Sequence, residues 1–169
     1  MNVLDTEFIH FGNKYDPNLL NTRDHNADYS EYFLCKPNGL WACARTFDKT
    51  AKYNSQWSDY CKDNDFYTEN LKEGFTFNLN KDAKILTINN LDDLKPYITK
   101  GISKLHEPLY FSLQVKIDFN KIYSKFDGMY VPFLENYAEF HQSILNAYDV
   151  DSLCIWNSSA IKHITNFKQ

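Results

Sequence analysis

Arginine is nearly absent from this sequence. Of 18 basic residues only Arg23 and Arg45 are arginines, and 22 acidic residues leave the chain at −4, which disfavours broad contact with a phosphate backbone. No apolar run approaches the roughly 20 residues needed to cross a bilayer, and the first five residues carry neither the basic start nor the apolar stretch of a signal peptide. The expectation is a cytoplasmic protein with no membrane role. Cysteine is sparse too: Cys35, Cys43, Cys61 and Cys154 form no C-x-x-C pair, and a chain of 169 residues needs no covalent staples. Free thiols are expected, with neither zinc nor disulfides. The five histidines, at 10, 25, 106, 141 and 163, are too dispersed for metal-ligand spacing. There is no Gly-rich phosphate loop, no H-E-x-x-H and no nucleophile elbow.

Glycine appears singly at 12, 39, 74, 101 and 128, so each marks a turn or a strand end. No repeat, low-complexity tract or linker divides the chain, and residues 1–169 are expected to form one domain. Aromatics, by contrast, are plentiful: 13 Phe, 12 Tyr and 3 Trp make up 17% of the chain. Much of the buried area must then be flat rings with polar edges, a composition that suits a site for a planar ligand.

The segment Thr6–Phe11 has the aromatic and β-branched content of a strand ending at Gly12, and Asn13–Ser30 reads as a long polar loop with a short helix after Pro17. Lys36-Pro37-Asn38-Gly39 is a turn that leads into a buried strand, Leu40–Ala44. A helix is expected over Ser55–Lys62, with Trp57, Tyr60 and Cys61 on one face. Phe75–Leu79 and Ile85–Ile88 read as strands, followed by helices from Leu91 and near Ile102. The remainder reads as a helix from Ile117 through Tyr123, a strand Gly128–Val131, a helix Leu134–Tyr148, a strand Ser152–Trp156 and a short closing segment Ala160–Ile164. Strands and short helices interleave irregularly, so the fold class expected is α+β.

Three segments place a distinctive side chain at a strand end, where clefts take their ligand contacts: His10 before Phe11-Gly12, Trp41 after Gly39-Leu40, and Asp151 before Ser152–Trp156. A histidine there can donate to a sugar hydroxyl, an indole can stack on a pyridinium, and a carboxylate can stabilise positive charge growing on a ribose carbon. In the order Ile9-His10-Phe11-Gly12, Gly39-Leu40-Trp41-Ala42-Cys43-Ala44 and Val150-Asp151-Ser152-Leu153-Cys154-Ile155-Trp156, these segments resemble the catalytic domain of ADP-ribosyltransferases, the branch that includes diphtheria toxin and the poly(ADP-ribose) polymerases. The resemblance covers about a fifth of the chain.

It implies a compact domain of two small, mostly antiparallel sheets forming an NAD cleft, with NAD consumed as substrate. His10 would hold the adenosine-side ribose, the backbone of Phe11, next to Gly12, would pair with the carboxamide, and Trp41, followed by Ala42, would be one ring-stacking wall. The opposing wall would be Trp57, near Ser55 at the start of a helix, with Tyr53 as its rival. Asp151 would be the catalytic acid, and Asp149, two residues earlier, an aid to acceptor activation if the strand reaches back that far. The sequence departs from the family in having Trp41 for the usual tyrosine, Asp151 for glutamate, and Phe11 between His10 and Gly12. The activity implied is mono-ADP-ribosyl transfer to a protein acceptor rather than to nucleic acid, as a toxin or phage effector would perform it. NAD hydrolysis, the same fold acting on another nucleotide or on RNA as related phosphotransferases do, and a non-enzymatic protein-binding inhibitor using its aromatic surface are the alternatives.

Overall fold

Among the described residues ten strands form: β1 (Glu7–Phe11), β2 (Leu40–Thr46), β3 (Asn54–Ser55), β4 (Glu73–Leu79), β5 (Ile85–Thr87), β6 (Ile98–Lys100), β7 (Lys116–Ile117), β8 (Gly128–Val131), β9 (Ser152–Ile155) and β10 (Ile161–Lys168). Among the described residues the α-helices are α1 (Gln56–Asp63), α2 (Phe119–Tyr123) and α3 (Tyr137–Phe140). The computed structural model describes residues 2–17, 20, 36–47, 52–108 and 114–169. Most of the loop expected over Asn13–Ser30, its short helix after Pro17, and Cys35 lie outside the described residues.

Seven strands follow the order β10-β4-β1-β2-β9-β8-β5, with β3 attached to β2, and only the β5–β8 pair is parallel. The chain is thus an α+β domain with one mixed sheet and one small antiparallel ribbon, β6–β7. The two small sheets expected to form a cleft between them are not what is found: one sheet is large and mixed, and the ribbon β6–β7 contributes no residue to the cleft described below. The reason is β2, which pairs along one edge with β9 through Leu40–Ala42 and along the other with β1 through Cys43 and Ala44 and so joins the strands on its two sides into one sheet.

Side-chain alternation divides the core between the two faces of this sheet. Met129, Val131, Cys154 and Trp156 pack with Ile88, Leu94, Phe140 and Tyr148 on one face. Phe8, Phe75, Phe77, Tyr130, Leu153 and Ile155 form the core of the other.

Helix α1 follows the predicted span, and its ends explain why. Ser55 and Ser58 exchange hydrogen bonds between side chain and backbone, closing a capping box. At the other end the Phe66 amide donates to the Cys61 carbonyl at 2.8 Å and the Asp65 amide to the Lys62 carbonyl at 3.4 Å. This is a Schellman cap with Asp65, at φ 49°, in the left-handed position that glycine usually takes.

Elsewhere local chemistry overrides the helical patterns. The helix expected over Leu134–Tyr148 breaks into α3 and a 3-10 turn, Ile144–Ala147. Ser143 causes the break, donating to the Phe140 carbonyl and accepting from the Leu145 amide. The helix expected from Ile117 starts later because Asp118 caps it, which leaves Lys116 and Ile117 to form β7. The helices predicted at Leu91 and Ile102 are both 3-10. The closing segment, expected to be short, is the eight-residue β10, whose pairing with β4 is interrupted between Lys162 and Thr165 around His163 at φ 51°.

Candidate functional site

The site begins with a ladder that stops early. β1 and β2 are in register at Phe8–Ala44 and Ile9–Cys43, and regular continuation would pair Phe11 with Trp41. Instead the His10 imidazole reaches the Trp41 carbonyl, with Nδ1 and the oxygen 2.7 Å apart. A carbonyl only accepts, so Nδ1 carries the proton and Nε2 of the neutral ring is the acceptor. Burial lowers the His10 pKa from its ordinary 6.5 and outweighs the opposing effect of the Trp41 carbonyl. His10 is thus set to accept a hydrogen bond at Nε2, the reverse of the donor role expected from the sequence.

β4 fixes the other edge of β1. The Gly12 amide donates to the Glu73 carbonyl at 2.8 Å, so the alternation of an antiparallel strand turns the N–H and C=O of Phe11 the opposite way, toward β2. Gly74 allows the close approach of β4, because a Cβ there would collide with the His10 carbonyl.

Where β1 and β2 part, a cleft of about 280 Å³ opens. Trp41, Cys43 and Ser152 border it from the sheet, with Trp57 from α1 and Lys36 and Asp149 from flanking turns. The Lys36 ammonium stands 5.5 Å from the Trp41 ring centre and 5.3 Å from that of Tyr148, a cation–π arrangement on two rings. The Cys43 thiol is pushed up to about 12 by burial, with the Asp151 and Cys61 charges adding to the shift and the Trp57 amide opposing it. Cys43 is therefore an inert wall residue rather than a nucleophile.

Asp149 and Asp151 part company. β9 begins at Ser152, too late to keep both on one strand face. Asp149 is exposed at the cleft, and its carboxylate, after burial, pushes the neighbouring Tyr60 phenol up. Asp151 is 7% exposed; its Oδ1 accepts from the Leu134 amide at 2.7 Å, and its own amide donates to Gln56 Oε1. Burial raises the Asp151 pKa, while the Leu134 amide and the Gln56 side chain hold it back. The Asp151 carboxylate thus ties the turn after β8 to α1.

Of the residues singled out in the sequence, His10, Phe11, Trp41, Ala42, Trp57 and Asp149 border the cleft. Gly12 caps the end of β1, Ser55 is the buried N-cap of α1, and Tyr53 stacks on Phe167 with ring centres 4.0 Å apart; these three and Asp151 are not among the residues that border it. Lys36 was not anticipated: the sequence marks it only as the first residue of a turn. Among the described residues no cluster of His, Cys, Asp and Glu could hold a metal ion, and no helix is long and apolar enough to cross a membrane. Cys43, Cys61 and Cys154 are free thiols. No protein-family model, curated protein or solved structure matches the chain.

Proposed function

We propose that the cleft between β1 and β2 binds the nicotinamide-ribose end of NAD and that the chain transfers ADP-ribose from NAD to a protein acceptor. One convergence carries the reading: His10, Trp41, Trp57 and the Asp149 carboxylate, from four separate stretches of sequence, border a single cleft. The volume of about 280 Å³ is at the small end for ligand clefts, suited to a ring and a sugar, with the adenosine half of NAD extending beyond it.

In this reading the pyridinium lies on the Trp41 indole, where the ring cation meets a π face, and Trp57 is the facing wall. The N–H and C=O of Phe11 meet the carboxamide, which presents one acceptor and two donors. His10 Nε2 accepts from a hydroxyl of the adenosine-side ribose. The bond between the ribose C1′ and the ring nitrogen breaks, and its electron pair passes to the nitrogen, which becomes neutral. Positive charge develops on the ribose carbon and ring oxygen, and Asp149 stabilises it. The acceptor nucleophile then bonds to C1′ and gives up one proton; with water in its place the product is free ADP-ribose. Asp149 takes the role that the resemblance gives to Asp151, because the Asp151 carboxylate is already held by the Leu134 amide.

The test is incubation with NAD labelled in the nicotinamide ring and, separately, in the adenine. Nicotinamide release together with adenine label on protein supports transfer, and both must disappear in Asp149→Asn. Absence of nicotinamide release from the wild-type protein, with and without added protein acceptors, overturns the reading.

A further inference from the structure

Trp57 belongs to more than the cleft. Its outer side continues into a cluster of rings: Tyr60 is stacked on it with centres 5.6 Å apart, Phe66 meets it edge-on at 6.1 Å, and Tyr67 meets Phe66 edge-on at 4.3 Å. Phe66 and Tyr67 are 43% and 59% exposed, an unusual outlay of aromatic surface at adjacent positions. The backbone holds them there by left-handed conformations on both sides, Asp65 at φ 49° and Tyr67 at φ 51°.

The charge around these rings has one sign. Between Trp57 and Asn70 the chain carries Asp59, Asp63, Asp65 and Glu69 against a single Lys62. Lys62 is engaged with Asn54 and Asp59, and Glu69 with Lys72. Asp63 and Asp65 enter none of the ion pairs found among the described residues. Asp149 adds a further carboxylate where the ring cluster meets the cleft.

We propose that this aromatic edge, Trp57, Phe66 and Tyr67 with Asp63 and Asp65 beside it, docks an arginine- or lysine-bearing segment of a protein partner. Guanidinium groups stack on exposed aromatic faces and pair with carboxylates, so both features of the edge address the same side chain. A nucleic acid would bring phosphates against uncompensated carboxylates, and a second copy of this chain would bring net charge −4 against them. Position supplies the rest: the edge abuts the cleft through Trp57, so a segment bound here has its side chains at the cleft mouth. Calling that partner the acceptor rests on the NAD reading; the docking itself does not.

The experiment measures binding of a dye-labelled peptide of alternating arginine and glycine by fluorescence anisotropy, without NAD. A glutamate-glycine peptide and a single-stranded oligonucleotide of the same length serve as comparisons. The arginine peptide is expected to bind best, and Asp63→Asn with Asp65→Asn to weaken it about tenfold, with a loss of similar size for Phe66→Ala with Tyr67→Ala. Both pairs of changes are at exposed positions, and circular dichroism establishes that each variant is folded. Equal binding of the arginine peptide by the wild type and both variants, or preference for the oligonucleotide, overturns the proposal. Because no turnover is measured, a protein inert toward NAD that still binds the arginine peptide refutes the NAD reading and leaves the docking surface standing.

Discussion

His10 holds the Trp41 carbonyl through Nδ1 at 2.7 Å, in the place where regular pairing would have brought the Phe11 amide. The contact keeps two adjacent strands apart and fixes the tautomer of the ring that does so. A folded state that disfavours the imidazolium binds fewer protons than the unfolded chain below the ordinary pKa of 6.5. Stability from this group is therefore fully present above pH 6.5 and is lost as pH falls below it. The urea midpoint of the wild type is expected to drop between pH 7 and pH 5 more than that of His10→Asn. Parallel pH profiles for the two proteins would remove His10 as the cause.

Asp149 and Asp151 are expected to separate function from fold. Asp149→Asn should lower nicotinamide release by about 100-fold or more while leaving the thermal midpoint almost unchanged, as exposed substitutions do. Asp151→Ala strands the Leu134 amide and should cost about 1–3 kcal/mol in chemical denaturation. Measuring turnover and unfolding on both variants decides the matter; loss of turnover in a stably folded Asp151→Asn, with Asp149→Asn active, would reverse the assignment.

The Lys36 ammonium lies 5.5 Å from the Trp41 ring centre and borders the cleft in which the proposed pyridinium would stack. Replacing Lys36 with methionine keeps the aliphatic stem and removes a like charge from the path of a cationic ring. NAD affinity, followed by quenching of tryptophan fluorescence, is expected to rise by about 0.5–1 kcal/mol. Weaker binding in Lys36→Met would instead place the ammonium on the diphosphate.

Cys43 borders the cleft, yet its thiol is pushed up to about 12, so it has almost no thiolate at neutral pH. Iodoacetamide should label it slowly in the folded protein and at the ordinary rate in urea, with peptide mass spectrometry as the readout. Cys43→Ser should retain turnover. Rapid labelling of Cys43 under native conditions would contradict the burial that defines this wall.

The longer strands were legible in the sequence from their apolar and aromatic runs: β1, β2, β4, β8 and β9 lie within a residue or two of the predicted segments. β3, β6 and β7 span two or three residues and have no period to read, and β10 is polar at most of its positions because the burial it offers is at its two ends. The residues on regular elements, His10, Trp41 and Trp57, could be picked from motif and helix spacing. Lys36 and Asp149 sit on connecting segments, whose direction is set by what packs beneath them; Asp149 could be named only through its spacing from Asp151, and nothing local in the sequence aims Lys36 at the cleft. Asp151 shows the same limit from the other side. The facing of a residue just before a strand is undetermined until the first ladder pair, here Val131–Ser152, is known.

Among the described residues, the outermost strands of the main sheet are poor templates for further growth. At one margin β10 carries a left-handed His163 in an exposed stretch and loses register with β4 at that point; at the other, β5 offers three residues. A neighbouring molecule seeking to extend the sheet meets a kink on one side and a stub on the other. A chain so rich in rings is thereby guarded at its margins against fibrillar stacking.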